Sequence, residues 1–235
     1  MTKTAITIMT VVTLLLAGAA TLPADERVMT VEELYLQSDL GIQVLRTQAL
    51  SPRREHKEQA IDALRALVEE GAISSDDSPH IAILRLLVTD GSSYQVRTGG
   101  RVVYDNPDIR RDAAELLGVI GGAQARSALL EAIEFEREPM VLSQAIHSLG
   151  HVGLGDEGRG IVRITRVLVR ENAQENPDTN LMYVTLLTME RLASDYADQL
   201  ASSALVNSLV QISTGPYNAI VREQARRTLA SLGGL

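Results

Sequence analysis

Apolar positions between residues 106 and 122 recur with the period of an amphipathic helix. Asn106 is a residue type that caps helix starts, and Pro107 suits a first helical turn. Gly121 and Gly122 are predicted to end the helix. The apolar positions fall at i, i+4, i+7 and i+11, and they are Ile109, Ala113, Leu116 and Ile120.

The same pattern returns further along the chain with its residue types in step. Val141 aligns with Ile109 at an offset of 32 residues. Val221 and Met182 start two further copies, although Glu190 then falls where leucine is expected. A pattern that recurs at a nearly fixed distance indicates an array of structural repeats.

Each of these helices follows another segment with helical apolar periodicity, so the predicted unit is a pair of helices. The leading segments cover residues 123–136, 157–172 and 197–213. Residues 31–50 and 52–70 form a first pair, and residues 79–88 lead the second. We therefore predict an all-α fold of about five helix pairs.

The second pair is interrupted by the sequence YQVRTGGRVVYDNP. Two glycines between β-prone runs indicate a tight turn, so we predict an inserted β-hairpin near residues 94–104. The hairpin either packs Tyr94, Val102, Val103 and Tyr104 on a neighbouring helix or projects as a contact element. The second alternative makes Tyr94 and Tyr104 candidate partner-binding residues.

The repeat carries the pattern D-x-V-R-x-x-A-x-x-x-L-G-x-I-G, seen here as DIRRDAAELLGVIG and in part as MVLSQAIHSLGHVG and IVREQARRTLASLG. It resembles the HEAT-like repeat of the phycobilisome lyase family and of many bacterial scaffold proteins. The resemblance covers most of residues 30–235. It implies an armadillo-like α-α superhelix, a HEAT-like solenoid whose pairs bury their apolar faces on their neighbours.

The first residues are predicted to direct export. Lys3 is followed by an apolar run and by small residues at Ala17 and Ala19. We assign residues 1–24 to a signal peptide and residues 25–235 to the solenoid. The alternative is an uncleaved anchor, but the apolar run is shorter than the ~20 residues that span a bilayer. The processed protein is expected to be periplasmic or secreted, with no integral membrane segment.

Composition narrows the classes of function. The 235 residues are 45% hydrophobic and only 3% aromatic, which suits an aliphatic helical core. Without cysteine the chain forms no disulfide and carries no lipid on an N-terminal cysteine. The net charge of −8 argues against generic nucleic-acid binding.

Candidate catalytic chemistry is sparse. His147 and His151 lie one helical turn apart, a spacing that can share a metal ion, but two solvent-facing histidines are the simpler interpretation. Phosphate-binding and nucleophile motifs are missing from the sequence. We predict no catalysis, no cofactor and no metal. The alternative, which the resemblance implies, is a ligand-binding protein or enzyme related to the bilin lyases.

Two surfaces are candidate partner-binding sites. Four arginines share one stripe of the helix predicted over residues 157–172, which is either a solvated face or a docking site for an acidic protein or peptide. They are Arg159, Arg163, Arg166 and Arg170. A binding site for an acidic envelope polymer is a further possibility for the same stripe.

The second surface follows from the repeat register. Positions two and six after each anchor are expected to face a groove along the second helices. They are Arg111, Glu115, Ser143, His147, Val184, Thr188, Glu223 and Arg227. This mixed, polar column suits a protein or peptide. The predicted function is an exported, non-catalytic scaffold or adaptor that acts by protein–protein interaction.

Overall fold

A computed structural model describes the backbone of residues 31–92, 97–98, 101–102, 105–155, 158–200 and 202–233. Side chains are described from residue 39 onward within these ranges, apart from the two short strands. The chain divides into two compact units, residues 1–39 and 40–235. The predicted signal peptide, residues 1–24, lies outside the described residues and stays a prediction.

The described residues contain ten helices and two short strands. The first three helices are α1 (Val31–Leu50), α2 (Arg54–Glu69) and α3 (Ser78–Val88), followed by β1 (Arg97–Thr98) and β2 (Arg101–Val102). The next four are α4 (Pro107–Ile120), α5 (Gly122–Phe135), α6 (Pro139–Val152) and α7 (Arg159–Asn172). The last three are α8 (Thr179–Leu200), α9 (Ser203–Thr214) and α10 (Ala219–Gly233).

The helices stack as two layers. Helices α3, α5, α7 and α9 pack on one another in chain order, and this row is the first layer. Helices α2, α4, α6, α8 and α10 do the same, and this row is the second layer. From α3 onward, each first-layer helix also packs on the second-layer helix that follows it. This arrangement confirms the predicted all-α, α-α superhelix of five helix pairs.

Prolines and glycines set the ends of the repeat helices as expected. Pro107 and Pro139 occupy first-turn positions of α4 and α6. Asn106 is the N-cap of α4, although its side chain makes no capping hydrogen bond. Gly121 ends α4 with φ of 73°, a conformation that favours glycine. Gly122 begins α5, so the prediction that it also ends α4 is wrong.

Small residues let the second-layer helices approach closely. A Cβ atom on Gly118 of α4 would lie 2.6 Å from Ser148 Oγ of α6. A Cβ atom on Gly150 of α6 would lie 2.6 Å from Thr188 Cγ2 of α8. The glycine of the repeat is therefore a point of close contact between α4 and α6 and between α6 and α8. Around these contacts the core is aliphatic, with Leu117 fully buried.

This contact corrects the register of the fourth unit. Ser148 lies seven residues after Val141, and Thr188 lies seven residues after Leu181. Leu181 therefore takes the anchor position, and the predicted alignment through Met182 is wrong by one residue. With this register Met189 fills the buried leucine position, and the exposed Glu190 falls at the position of the repeat glycine.

The boundary between α8 and α9 also differs from the prediction. Helix α8 runs to Leu200 across a break at Tyr196, where φ is −132° and ψ is 28°. The Tyr196 hydroxyl lies 2.7 Å from where a Cβ on Gly153 would stand. Packing of this tyrosine over the loop after α6 accompanies the break, and α9 begins at Ser203 instead of residue 197.

The inserted hairpin is confirmed in its strand pairing. Strands β1 and β2 are antiparallel, with Arg97 opposite Val102 and Thr98 opposite Arg101. Tyr94, Val103 and Tyr104 lie outside the described residues, so packing or projection of this element stays open. In the described part of the chain, no helix combines the length and apolarity needed to cross a bilayer.

A buried ionic cluster lies between the two ends of this insertion. Arg110 is 3% exposed and donates hydrogen bonds to Glu136, to the Asp105 carboxylate and to the backbone carbonyl of Asp90. Lys57 Nζ lies 2.6 Å from Asp90 Oδ2. Since Asp90 precedes the hairpin and Asp105 follows it, the cluster joins both ends to the core.

Candidate binding surface

Helix α7 separates an apolar side from an arginine side. Ile161, Ile164 and Leu168 are buried, as the helical periodicity predicted. Arg163 and Arg166 lie on the opposite side and retain 25% and 58% side-chain exposure. The predicted stripe is therefore an outward face of α7 in the first layer.

Two arginines of the stripe share a single carboxylate on the neighbouring helix. Arg163 Nε donates to Glu134 Oε2 of α5 at 2.9 Å, and Arg166 Nη1 donates to Glu134 Oε1. The solvated-face interpretation thus explains part of the stripe, since an acidic group of the same chain faces it. One carboxylate cannot neutralise two guanidinium groups, so a positive charge remains.

The last arginine of the stripe lies near a second cation. Partial burial and the nearby Arg137 guanidinium lower the pKa of Arg170, while Glu171 raises it. Arg170 and Arg137 line a cleft beside the loop that precedes α8. Arg170 stays charged because guanidinium pKa values lie far above neutrality.

A cleft of about 560 Å³ extends the cationic surface across three first-layer helices. Arg85 of α3, Arg126 of α5 and two stripe residues of α7, Arg159 and Arg163, line it. Arg85 pairs with Glu131 of α5 at 2.6 Å. A neighbouring cleft is lined by Arg159, Arg163 and Arg166 together with Glu134.

We call this surface the arginine face. Its described charged members are five arginines and two glutamates, namely Arg85, Arg126, Arg159, Arg163, Arg166, Glu131 and Glu134. The chain as a whole has a net charge of −8, so this local excess of positive charge is a departure from the rest of the protein. Asp156 and Glu157 lie outside the described residues and are not counted.

The second-layer column is only partly available at the surface. Ser143 and Thr188 are buried, at 6% and 4% exposure, so the prediction that they face a groove is wrong. Ser143 Oγ donates to the carbonyl of Pro139 in its own helix, and Thr188 packs on Gly150. Thr188 thus fills a close contact between α6 and α8, whereas the Ser143 hydroxyl is satisfied within α6.

The other members of the column are exposed or half-buried. Glu115 pairs with Arg65 of α2 at 3.4 Å, and Arg111 donates to Asp112 of its own helix. Glu223 pairs with Arg227 within α10. Val184 is half-buried. These contacts balance positive and negative charge, in contrast to the arginine face.

The two histidines form a contact with an arginine of the next repeat. Arg191 Nη1 donates to His151 Nε2 at 3.1 Å, so this nitrogen is an acceptor. His147 Nε2 lies 3.2 Å from the same atom, and the tautomer of His147 decides whether it carries a proton there. Burial, Arg191 and His147 together lower the pKa of His151 from 6.5. No group of three or more His, Cys, Asp or Glu side chains in the described chain is placed to hold a metal ion.

Known proteins add little to this geometry. No protein-family model matches the chain. An uncharacterized protein of Treponema pallidum (strain Nichols) is 26% identical over 175 residues, which are 74% of this chain and 32% of that protein. The chain thus spans about a third of the length of this relative. A designed armadillo repeat protein superposes with a TM-score of 0.41 at 13% identity, over 80% of this chain and 98% of the designed chain.

Sequence reasoning missed half of the cationic cleft. Arg85 and Arg126 belong to the leading helices of different pairs, and these helices diverge more in sequence than the second helices. Their convergence with α7 depends on which first-layer helices are neighbours. An alignment of the leading helices by pair, from α3 to α7, would have been the signal that placed these arginines together.

Proposed function

We propose that this protein is a non-catalytic scaffold that binds an acidic protein or peptide partner through the arginine face. The observation that carries the proposal is that, with Arg159 left aside, four arginines outnumber two glutamates among the described residues of one surface of an acidic chain. Like charges held close together repel one another, and an acidic partner would relieve that repulsion. Guanidinium groups also engage carboxylates through two parallel hydrogen bonds, which adds specificity.

The fold supports this proposal in a general way. Stacked helix pairs expose a long, regular surface assembled from neighbouring repeats, and such surfaces suit extended macromolecular partners. We further propose that the protein is exported and acts outside the cytoplasm, on the basis of the apolar N-terminal segment. Fractionation of cells that express the tagged chain, with a blot for a shortened product, tests the export proposal.

The test of partner binding is crosslinking in cells of the source organism, followed by affinity capture. One variant changes Arg159, Arg163, Arg166 and Arg170 to Gln. A matched control changes four exposed arginines outside both candidate surfaces, namely Arg53, Arg54, Arg191 and Arg226, and so removes the same charge. We expect the native chain and the control to recover one acidic partner that the stripe variant loses.

Two results would overturn the proposal. Equal recovery of the partner by the folded stripe variant would show that the stripe is only a solvated face. Recovery of a pigment or other bound small molecule in place of a protein would favour the lyase-related alternative, and absorbance spectra of the purified chain detect it directly.

A further inference from the structure

The cleft between α3, α5 and α7 has a composition that points to one kind of occupant. Its cationic residues surround an apolar part formed by Leu130, Phe135 and Leu154. Phe135 is the only phenylalanine of the chain, and it is 46% exposed at the end of α5. An exposed aromatic ring beside guanidinium groups offers both an apolar contact and a charged one.

In the described part of the chain, the charge of Arg126 is not paired with a carboxylate. Among the residues that the structure describes, it has no hydrogen bond or ion pair, whereas Arg85 and Arg163 each contact a glutamate. The Arg126 side chain is half-buried, and no carboxylate of the described residues pairs with it. A partly desolvated cation without a counter-charge costs free energy unless a ligand supplies one.

Glycine holds this side chain at the wall of the cleft. A Cβ atom on Gly155 would lie 3.0 Å from Arg126 Cζ and 3.0 Å from Arg126 Nε. Gly155 has φ of 68°, which favours glycine on conformational grounds as well. Gly155 therefore packs directly against the Arg126 guanidinium group.

The two paired arginines of the cleft also keep hydrogen-bond donors. Arg85 uses Nε and Nη2 on Glu131, which leaves the Nη1 donors. Arg163 uses Nε on Glu134 and keeps both Nη groups. Because a guanidinium group has five N–H donors, one carboxylate leaves donors for another. The cleft can thus bind more than one carboxylate.

We propose that this cleft binds a short acidic peptide segment that carries an apolar side chain, with Arg126 as the principal carboxylate contact and Phe135 as the apolar contact. A volume of about 560 Å³ falls in the range of sites that hold small ligands or short segments. The inference rests on the proposed function, because it names the part of the arginine face and the type of segment that a partner would use.

Fluorescence anisotropy with labelled peptides tests this proposal. The probe is fluorescein-GSEEFEEGS, and the comparison probes are GSQQFQQGS, GSEEGEEGS and sodium polyphosphate as a competitor. Native protein is compared with Arg126→Gln, Arg126→Lys and Phe135→Ser. Arg53→Gln is the control, because it removes an exposed arginine outside the cleft and outside both candidate surfaces. Thermal unfolding of every variant verifies that it is folded.

We expect the acidic phenylalanine probe to bind most tightly. Arg126→Gln should weaken binding by about tenfold, with a smaller loss for Arg126→Lys, because hydrogen bonds to charged groups are strong. Phe135→Ser should weaken it by about fivefold through the lost apolar contact. Arg53→Gln should leave the affinity within about twofold of the native value, because this surface charge lies outside the cleft.

Three results would overturn the proposal. They are equal affinity of native protein and Arg126→Gln, equal affinity for the probes with and without phenylalanine, and no binding of any peptide. If polyphosphate displaces the probe equally well from native protein and from Phe135→Ser, the surface is a general site for polyanions. The stripe variant could lose the cellular partner while Arg126→Gln still recovers it. That result would support the scaffold function and contradict only the proposed peptide site in the cleft.

Discussion

The arginines of the second layer and those of the first layer are used differently. Between α2 and α4, Arg54 pairs with Asp108, and Arg65 pairs with both Asp112 and Glu115. Arg111 also pairs with Asp112, so three cations there meet three carboxylates. On the arginine face, five arginines meet two glutamates among the described residues. Balanced pairs hold successive repeats together, whereas an excess of one sign is a feature that a partner can use.

Arg110 is the extreme case of a balanced arginine and should give the largest effect. Arg110→Gln removes the cation that contacts Glu136 and Asp105, and it leaves Glu136 buried without its counter-charge. We expect a loss of about 3–5 kcal/mol in the free energy of unfolding. Urea unfolding followed by circular dichroism measures it. Arg126→Gln is the control, and equal stability of both variants would contradict the comparison.

Close packing in the second layer should give an intermediate effect. Gly118→Ala places a methyl group 2.6 Å from Ser148 Oγ and 3.1 Å from Ser148 Cα. Relief of that contact requires a backbone shift, so we expect destabilisation of about 1–2 kcal/mol despite the better helix propensity of alanine.

Gly41→Ala is the matched control for this helix substitution. It lies within α1, and a Cβ atom there meets nothing within 4 Å. Alanine should therefore stabilise the helix by about 0.5–1 kcal/mol. Thermal unfolding of both variants gives the sign of each change. Stabilisation by Gly118→Ala would show that the helices do not depend on this contact.

The sequence predicted the helix pairs because periodic apolar residues and first-turn prolines are local signals. The register of the fourth unit failed because Leu181 and Met182 are both buried, so hydrophobicity could not distinguish them. Only the contact of Thr188 with Gly150 does. Likewise, the arginine stripe could be predicted from the sequence of α7 alone. The cleft could not be predicted, because it depends on which first-layer helices are neighbours.

The histidine contact should give the smallest effect, visible in its pH dependence. Burial, Arg191 and His147 lower the pKa of His151 from 6.5. As the pH falls below about 6.5, His151 is protonated in the unfolded chain before it is protonated in the folded chain. The free energy of unfolding therefore decreases. Below the pKa of folded His151 this loss levels off. The side chain is largely exposed, so the change should be small.

NMR titration of the histidine ring protons measures this pKa. Arg191→Gln should raise it toward the ordinary value, because the nearest positive charge is removed. A His151 pKa above 6.5 in the native chain, or one that Arg191→Gln does not move, would contradict the assigned contact.

The central claim is tested most directly by two double variants with the same change in charge. The first combines Arg126→Gln with Arg166→Gln and removes two positive charges from the arginine face. The second combines Arg54→Gln with Arg65→Gln and removes two arginines that form ion pairs in the second layer. Affinity for the acidic phenylalanine probe and the free energy of unfolding are measured on both. We predict that the first variant loses binding and keeps its stability, while the second keeps binding and is the less stable of the two. Unchanged binding by the first variant, or equal loss of binding by both, would contradict the claim.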